Sequence, residues 1–430
     1  MADSIFTEPL NTSETDDIRR KTVNNNQNTA SYSGTLRLSA FNISEGMPAS
    51  DTSVSVSDSS GRLVYEGETD SDGRLSPLIL SAPSSELSLT PLAQPPSDPF
   101  SSYDITARSK KGDVTRITGV QIYPQTVSLQ TIIFPGQSSD IVIPDPGIMG
   151  KDPEKIPEEE KKPSPSPGGS VVLPQPVIPE TIIVHDGIPE DRSAKNYYVG
   201  FQDYIKNVAS SEIYATWPEQ AIRANVLAIL SFTLNRVYTE WYRGKGYDFT
   251  ITSSTAYDQA FTYGRNFFNE ISQIVDEMFT LYITREDSSQ PLFAQYCDGI
   301  RISRSGWLSQ WGSKELADSG YDALRILRTY YGRNIILREA EKVEGIPVSF
   351  QGVLTLGSRG QAVRTLQQQL NGISDNYPLI PKLSADGIYG PKTANSVKLF
   401  QQIFNLPQTG VTDLATWYRI SDVYVAVKKL

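Results

Sequence analysis

The 430-residue sequence has very little cysteine and histidine, with one of each at Cys297 and His185. A single cysteine cannot form an internal disulfide, and one histidine cannot supply several imidazole ligands. We therefore expect no metal site and no cofactor. Because thiolate activation usually needs a nearby base, Cys297 is interpreted as a packed residue rather than a nucleophile. His185 ends the apolar run "IIVH" and is interpreted as a strand-end residue.

Clusters of basic charge and long apolar runs are also lacking. The formal net charge is -10, and without a Lys/Arg cluster the chain is unsuited to binding nucleic-acid phosphates. No run reaches membrane-spanning length, and the amino terminus lacks the apolar core of a signal peptide. We therefore expect no nucleic-acid partner, no membrane span and no export by the usual signal.

The composition that is present predicts several domains joined by a linker. After a polar leader at residues 1–30, residues 31–136 alternate with strand period, as in "TLRLSAFN" and "TSVSVSD", and predict an all-β sandwich. The piece "SDSSGRLVYEGETDSDGRLSPLIL" resembles transthyretin-like modules. Residues 137–180 are rich in Pro, Ser, Gly and charge, which predicts an extended linker that is open to proteases, above all between Pro163 and Pro179.

Helical patterns dominate the rest of the chain. Residues 181–345 predict an α+β domain whose buried centre is the helix in "WPEQAIRANVLAILSFTLNRVYTEWY", which is apolar nearly all round. Residues 351–424 repeat a turn followed by a helix, and predict a compact three-helix module.

Two glutamates in "YIKNVASSEIYATWPEQA" differ in their surroundings. The segment "TWPE" fits a capping box, with Thr216 as N-cap and Glu219 at N3, so Glu219 is interpreted as structural. Glu212 is expected at the carboxyl end of a helix and before an apolar residue, and both influences raise a carboxyl pKa. A glutamate that is partly protonated near neutral pH suits a general acid. On the residues alone, a solvated helix-end glutamate remains the simpler interpretation.

Two stretches resemble the signatures of the stage II sporulation protein D / LytB family of peptidoglycan lytic transglycosylases and related factors. They are "YIKNVASSEIYATWPEQAIRANVLAILSFTLNR" and "SGWLSQWGSKELADSGYDALRILRTYYG". The resemblance implies that Glu212 is the catalytic acid/base and that Ser309, Gln310 and Trp311 line the same cleft. We also assign Asp248 and Gln259 to substrate binding. The Cys/His cluster of many family members is missing from the corresponding segment, so the resemblance implies no metal.

The segment from "LTLGSRGQAVRTLQQQL" to "TGVTDLATW" resembles the peptidoglycan-binding module of many wall hydrolases. This implies a shallow groove around Asp386, Gly387, Tyr389 and Gly390, whose alternative role is only to make turns.

The order of the three parts resembles the SleC family of spore cortex-lytic enzymes. It implies an enzyme made in the mother cell as a precursor, located at the spore cortex and coat, and activated at germination by a subtilisin-like protease. The sandwich would be an inhibitory or folding-assisting pro-region.

The reaction implied by the resemblance needs one carboxyl group. Glu212 would protonate the glycosidic oxygen and then accept the proton of the MurNAc C6 hydroxyl, giving a 1,6-anhydro product. A hydrolase would need a second carboxylate, for which Asp248 and Asp258 are candidates. The alternatives are a non-catalytic peptidoglycan-binding scaffold or hydrolase activator and, more remotely, a phage- or toxin-associated wall protein.

Overall fold

The computed structural model of the chain describes residues 32–43, 47–91, 97–144 and 173–428. The predicted polar leader and residues 145–172 of the predicted linker lie outside the described residues.

Two β-sheets form the amino-terminal domain. Their elements are β1 (Tyr32–Asn42), β2 (Met47–Pro48), β3 (Ser53–Asp58), β4 (Leu63–Glu68), β5 (Leu78–Ala82), the short helix α1 (Glu86–Leu89), β6 (Ser101–Arg108), β7 (Val114–Ile122), β8 (Val127–Phe134) and β9 (Ser139–Val142). In the first sheet β1 pairs with β8, β2 and β5, and the second sheet has the order β4-β3-β6-β7-β9. Leu36, Leu38 and Ala40 of β1 are all buried in the core between the sheets, as the period of two requires. The predicted β-sandwich is confirmed.

The central domain mixes helices with short strands. Its elements are β10 (Val177–Ile178), β11 (Thr181–His185), β12 (Asn196–Gly200), α2 (Phe201–Glu212), α3 (Glu219–Tyr238), a 3-10 turn (Arg243–Lys245), β13 (Ile251–Thr252), β14 (Phe267–Phe268), α4 (Asn269–Met278), β15 (Leu281–Arg285), β16 (Tyr296–Cys297), β17 (Leu308–Ser309), α5 (Gln310–Asp318), α6 (Ala323–Tyr331), β18 (Ile335–Glu339) and β19 (Lys342–Val343). Helix α3 is buried along nearly its whole length and contacts α2, α4, α5, α6 and β15, so it is the predicted centre of this domain.

The carboxyl-terminal module contains the three predicted helices, α7 (Gln361–Ile373), α8 (Pro391–Ile403) and α9 (Leu414–Lys428). Trp417 of α9 is fully buried, and its indole N–H donates to the Val348 carbonyl at 2.9 Å. That bond ties α9 to the chain that enters the module.

The predicted linker is too long at both ends. Strand β9 pairs in parallel with β7 and completes the second sheet of the sandwich. At the other end, β10 pairs with β19, and Ile178 is 1% exposed. Ile141 and Ile178 therefore pair with strands that are distant in sequence, and the local composition gave no sign of this pairing.

Neighbouring domains share secondary structure and core. Strand β14 of the central domain adds to the first sheet of the sandwich, where Phe267 and Phe268 pair with Leu129 and Ser128 of β8. On the other side, Phe279 packs edge-on against Tyr418 of α9 with ring centroids 5.1 Å apart. The central domain is thus packed against both of its neighbours.

Candidate active site

Glu212 is the last residue of α2, as the sequence predicted. The helix stops because Ile213 adopts an extended backbone with φ −139° and ψ 159°. The Glu212 side chain is 6% exposed, and its Oε1 accepts a hydrogen bond from the Ala260 backbone N–H at 2.7 Å. A buried carboxylate with a backbone donor has a fixed position, which an acid/base group requires.

Buried polar groups surround this carboxyl group. Gln259 Oε1 accepts from the hydroxyls of Tyr204 at 3.0 Å and Thr233 at 2.8 Å. The phenol of Tyr296 hydrogen-bonds with Glu212; burial first, and then the Glu212 charge, raise the pKa of Tyr296 well above its usual value. Tyr296 therefore stays protonated and can donate to the carboxylate.

Gln259 belongs to this network rather than to an open surface. Its side chain is fully buried, and its Nε2 donates to the Ile229 carbonyl at 3.3 Å. These contacts support the loop that carries Ala260. Gln259 therefore holds the site in place, and the prediction that it touches substrate is corrected.

The two candidates for a second catalytic carboxylate differ in their surroundings. Asp258 is buried and accepts four hydrogen bonds, from the Arg236 guanidinium at 2.9 Å, the Tyr242 hydroxyl at 2.6 Å, and the Thr252 amide at 3.0 Å and hydroxyl at 2.8 Å. Asp248 is exposed and accepts from the Asn196 amide at 3.2 Å. Asp258 is thus committed to structure.

The second sequence motif lies against the segment that follows Glu212. The Trp311 ring centroid is 4.9 Å from that of Trp217 and 6.0 Å from that of Tyr214. Ser309 is the N-cap of α5, and its hydroxyl accepts from the Gly312 amide at 2.9 Å. Gln310 is 5% exposed. The structure therefore brings the two motifs together, but largely through packing and capping.

The predicted capping box at "TWPE" is wrong. Helix α3 begins at Glu219 with Pro218 as N-cap and has no side-chain cap. The Thr216 hydroxyl instead donates to Ser88 Oγ of the sandwich at 2.9 Å. Glu219 is exposed and pairs with Arg223 at 2.6 Å, so it is still structural, but as an i,i+4 ion pair.

The sandwich contacts the chain on both sides of Glu212. Before it, Ser211 Oγ accepts from Arg265 at 2.7 Å, and the same guanidinium donates to Gln121 of β7 at 3.0 Å. After it, the indole N–H of Trp217 donates to the Ser88 carbonyl at 2.9 Å. Burial lowers the pKa of Arg265 to about 10, so this guanidinium remains charged at neutral pH.

Sequence reasoning missed Ala260, Tyr296 and Arg265. The apolar surroundings of "FAQYCDG" gave a weak signal for Tyr296, because a buried tyrosine hydroxyl needs a partner. No local pattern pointed to Ala260, which contributes only its backbone N–H.

Two cavities lie elsewhere, one between the central domain and the carboxyl-terminal module and one within the central domain. One, of about 380 Å³, separates the start of α2 from α9 and is lined by charged groups that include Asp203, Arg419 and Asp422. The other, of about 500 Å³, lies beside Trp241 and Glu240. Glu212 lines neither of these two cavities. Its side chain is 6% exposed, so the candidate catalytic carboxyl group is enclosed in this structure.

The predicted groove of the carboxyl-terminal module is only partly exposed. Tyr389 is fully buried; its hydroxyl donates to the Gly410 carbonyl at 2.9 Å, and burial raises its pKa to about 12. Asp386 is exposed, and its Oδ1 accepts from Gln367 Nε2 and the Ile388 amide, both at 2.9 Å. The prediction that Tyr389 lines the groove is therefore wrong, because its ring belongs to the core of the module.

The described part of the chain has neither a metal-binding cluster nor a membrane-spanning helix. Within residues 32–43, 47–91, 97–144 and 173–428 there is no group of three or more His, Cys, Asp and Glu side chains that could hold a metal ion. Over the same ranges, no helix has the length and apolar character needed to cross a membrane. The single histidine stacks on Phe249 with ring centroids 4.5 Å apart, at the end of β11 as predicted.

The fold and the site define a multidomain protein with a β-sandwich, an α+β domain that encloses a backbone-anchored glutamate, and a three-helix module. Comparison with protein families gives the class of two of these parts. Residues 190–279 match the family of stage II sporulation protein, SpoIID, and residues 359–420 match a peptidoglycan binding domain. These two domains support a cell-wall lytic role, a link to sporulation, and peptidoglycan as a partner.

Solved structures resemble the amino-terminal part. The 5-hydroxyisourate hydrolase of Klebsiella pneumoniae is 21% identical, with 23% of this chain and 89% of that chain covered and a TM-score of 0.16. Sea bream transthyretin is 14% identical, with 23% and 85% covered and a TM-score of 0.14. A search of curated proteins found no match. The β-sandwich is established by its own strand pairing.

Proposed function

We propose that this protein is a spore cortex peptidoglycan lytic transglycosylase, made as a precursor and activated by proteolysis during germination. The observation that carries the proposal is the enclosed Glu212 carboxyl group, held by the Ala260 N–H at 2.7 Å inside the SpoIID match. The peptidoglycan binding domain at residues 359–420 would retain the enzyme on its polymer.

The proposed reaction uses Glu212 twice. As an acid, it protonates the oxygen of the MurNAc-GlcNAc bond, and the GlcNAc end leaves as an alcohol. As a carboxylate, it then accepts the proton of the C6 hydroxyl while that oxygen attacks the anomeric carbon of the same MurNAc. The product is 1,6-anhydro-MurNAc and no water is consumed. Asp258 is engaged by Arg236 and Tyr242, which favours a mechanism with one carboxyl group over a hydrolase with two.

The test of the residue compares two glutamates. Glu212→Gln is expected to lower the release of muropeptides from decoated spores about 100-fold or more, because general acids contribute roughly 10² to 10⁴. Glu219→Gln is the matched control, since Glu219 is an exposed ion-pair residue, and should retain activity. A loss of less than about tenfold in Glu212→Gln would contradict the assignment.

The test of the reaction is the chemistry of the products. Mass spectrometry of the released muropeptides should find anhydro-MurNAc ends. Ordinary reducing ends in their place would identify a hydrolase and refute the transglycosylase.

The enclosure of Glu212 supports the precursor part of the proposal. The sandwich contacts Ser211 through Arg265 and Trp217 through Ser88, so the chain is held by the sandwich on both sides of Glu212. We expect a subtilisin-like protease to cut between Pro163 and Pro179. Since Val177 and Ile178 are paired in β10, the amino-terminal part of that range is the better target. The protein would then work at the cortex, deposited from the mother cell.

Activation can be tested with a specific protease site placed in the linker. Cutting the full chain there is expected to raise activity on decoated spores. An uncut chain that is equally active would contradict the precursor proposal.

The same enclosure favours a second candidate function, a non-catalytic peptidoglycan-binding scaffold or hydrolase activator. Glu212 is 6% exposed and lines neither of the two cavities. A scaffold would bind cortex sacculi and release no muropeptides before or after cutting, whereas the enzyme would release them after cutting.

A further inference from the structure

Tyr197 and Tyr263 form a stacked aromatic pair at the surface of the central domain. Their ring centroids are 4.2 Å apart and their planes differ by 10°. Tyr263 is 39% exposed, and Tyr197 is partly buried. Such rings offer a flat apolar face with hydroxyl groups at the rim, which matches a sugar ring with its apolar face and surrounding hydroxyls.

The loop that carries Tyr263 also holds Glu212. Ala260 donates its backbone N–H to the Glu212 carboxylate. Two residues on, the Thr262 amide donates to Asn207 Oδ1 at 3.0 Å, and Asn207 Nδ2 donates to the Thr262 carbonyl at 2.7 Å. The loop therefore runs beside α2 from its carboxyl end towards its amino end. Asn207 precedes Glu212 by five residues, or about 8 Å of helix.

The pair consequently lies beyond Asn207, near the start of α2. Tyr197 belongs to β12, which leads directly into that helix. This position is separated from the Glu212 carboxyl group along the helix, but it is joined to it by one continuous loop. A polymer that extends along α2 could contact both places once the Glu212 carboxyl group is accessible.

The loop is held in place before any ligand binds. Gly264, with φ +76°, makes the turn after Tyr263, and a Cβ there would lie 2.9 Å from Ile141 Cδ1 of β9. Gln130 of β8 donates to the Gly264 carbonyl at 3.1 Å. Beneath the loop, Phe261 stacks with Tyr204 at 5.8 Å. Binding to a fixed surface loses less conformational entropy than binding to a mobile one.

We propose that the Tyr197–Tyr263 pair is a distal glycan-binding subsite, which stacks on an N-acetylated sugar of the polymer whose cleavage site is at Glu212. This rests on the proposed function for the identity of the ligand. It adds a role in selecting long glycans that neither family match describes. Burial first, then Asp186 and Tyr263, raise the pKa of Tyr197, so its hydroxyl remains a donor at neutral pH.

The test measures the binding of N-acetylglucosamine oligomers to the full chain by calorimetry, in the Glu212→Gln background so that nothing is cleaved. Tyr263→Ala should weaken hexamer binding about three- to tenfold, while Tyr263→Phe should bind as the parent does. Tyr198→Ala is the matched control, because Tyr198 is 73% exposed and its side chain points to the opposite face of β12. Its hexamer affinity should not change.

The outcomes separate this subsite from the proposed reaction. Absence of hexamer binding by the parent, a Tyr263→Ala effect below twofold, or an equal loss in Tyr198→Ala would overturn the proposal. If Tyr263→Ala does not fold, Tyr263→Leu removes the flat ring while keeping an apolar side chain, and the same criteria apply. Hexamer binding that depends on Tyr263, together with no anhydro product from the chain that keeps Glu212 after its linker has been cut, would leave the subsite standing and refute the transglycosylase.

Discussion

Substitution of Asp258 distinguishes a structural carboxylate from a second catalytic one. The side chains of Arg236 and Asp258 are 1% and 0% exposed, and the carboxylate accepts four hydrogen bonds. Asp258→Ala leaves the buried Arg236 guanidinium without its carboxylate, and removing one partner of a buried pair costs about 3–5 kcal/mol of unfolding free energy. Asp258→Asn should cost less, because an amide oxygen still accepts from Tyr242 or Thr252.

The assay is chemical denaturation, combined with muropeptide release per folded molecule. Asp248→Asn is the control, because Asp248 is exposed with one amide partner; its unfolding free energy should change by about 0.5 kcal/mol or less. A second control replaces both buried partners, as Arg236→Met with Asp258→Leu, and should recover part of the loss. An Asp258→Asn variant as stable as the parent but about 100-fold less active would refute the structural role and favour a hydrolase.

Two further predictions concern the carboxyl-terminal module. Burial raises the pKa of Asp422 to about 7 against the opposing charge of Arg419; the folded chain then holds a proton that the unfolded chain releases above about pH 4. The unfolding free energy should therefore fall as pH rises from about 4 to 7, and Asp422→Asn should make that decrease smaller by about 1–3 kcal/mol. The measurement is the melting temperature of both chains as a function of pH. An equally steep decrease in the Asp422→Asn variant would contradict the prediction. Tyr389→Phe removes the hydroxyl that donates to Gly410 and should cost about 1 kcal/mol of unfolding free energy without weakening sacculus binding. Weaker sacculus binding with an unchanged unfolding free energy would instead indicate that Tyr389 lines the binding groove.

The features that the sequence predicted correctly depend on local patterns. The alternation in β1, the all-round apolar character of α3 and the three turn-helix units each follow from residues close together in the chain. The position of Glu212 at the end of α2 also follows from local signals, because the helical pattern stops at Ile213. The two motifs that contain Trp217 and Trp311 were predicted to lie together because both are recognisable in the sequence, and the two rings are in contact in the structure.

The features that the sequence did not predict depend on pairing across long separations. Thr216 has an ideal local context for a capping box, but its hydroxyl is used by Ser88, which lies 128 positions earlier. Asp258 was a candidate for catalysis because its partner, Arg236, was not identifiable from spacing. Tertiary contacts of this kind override local preference at little cost, since a cap is worth only about 1 kcal/mol.

The sandwich is attached to the central domain by more than the linker. Strand β14 is hydrogen-bonded into its first sheet, Tyr123 packs edge-on against Phe268 at 5.1 Å, and Arg265 donates to Gln121. A cut in the linker breaks none of these contacts. Release of the sandwich would expose Phe268 and leave the buried Arg265 without Gln121. Activation by cutting, as proposed above, would therefore require this interface to loosen once the linker is cut. The same interface also holds Gly264 through Gln130, next to the loop that fixes Glu212. A sandwich that remains bound after cutting would keep that loop in place, so inhibition and support of the site are opposing effects of the same contacts.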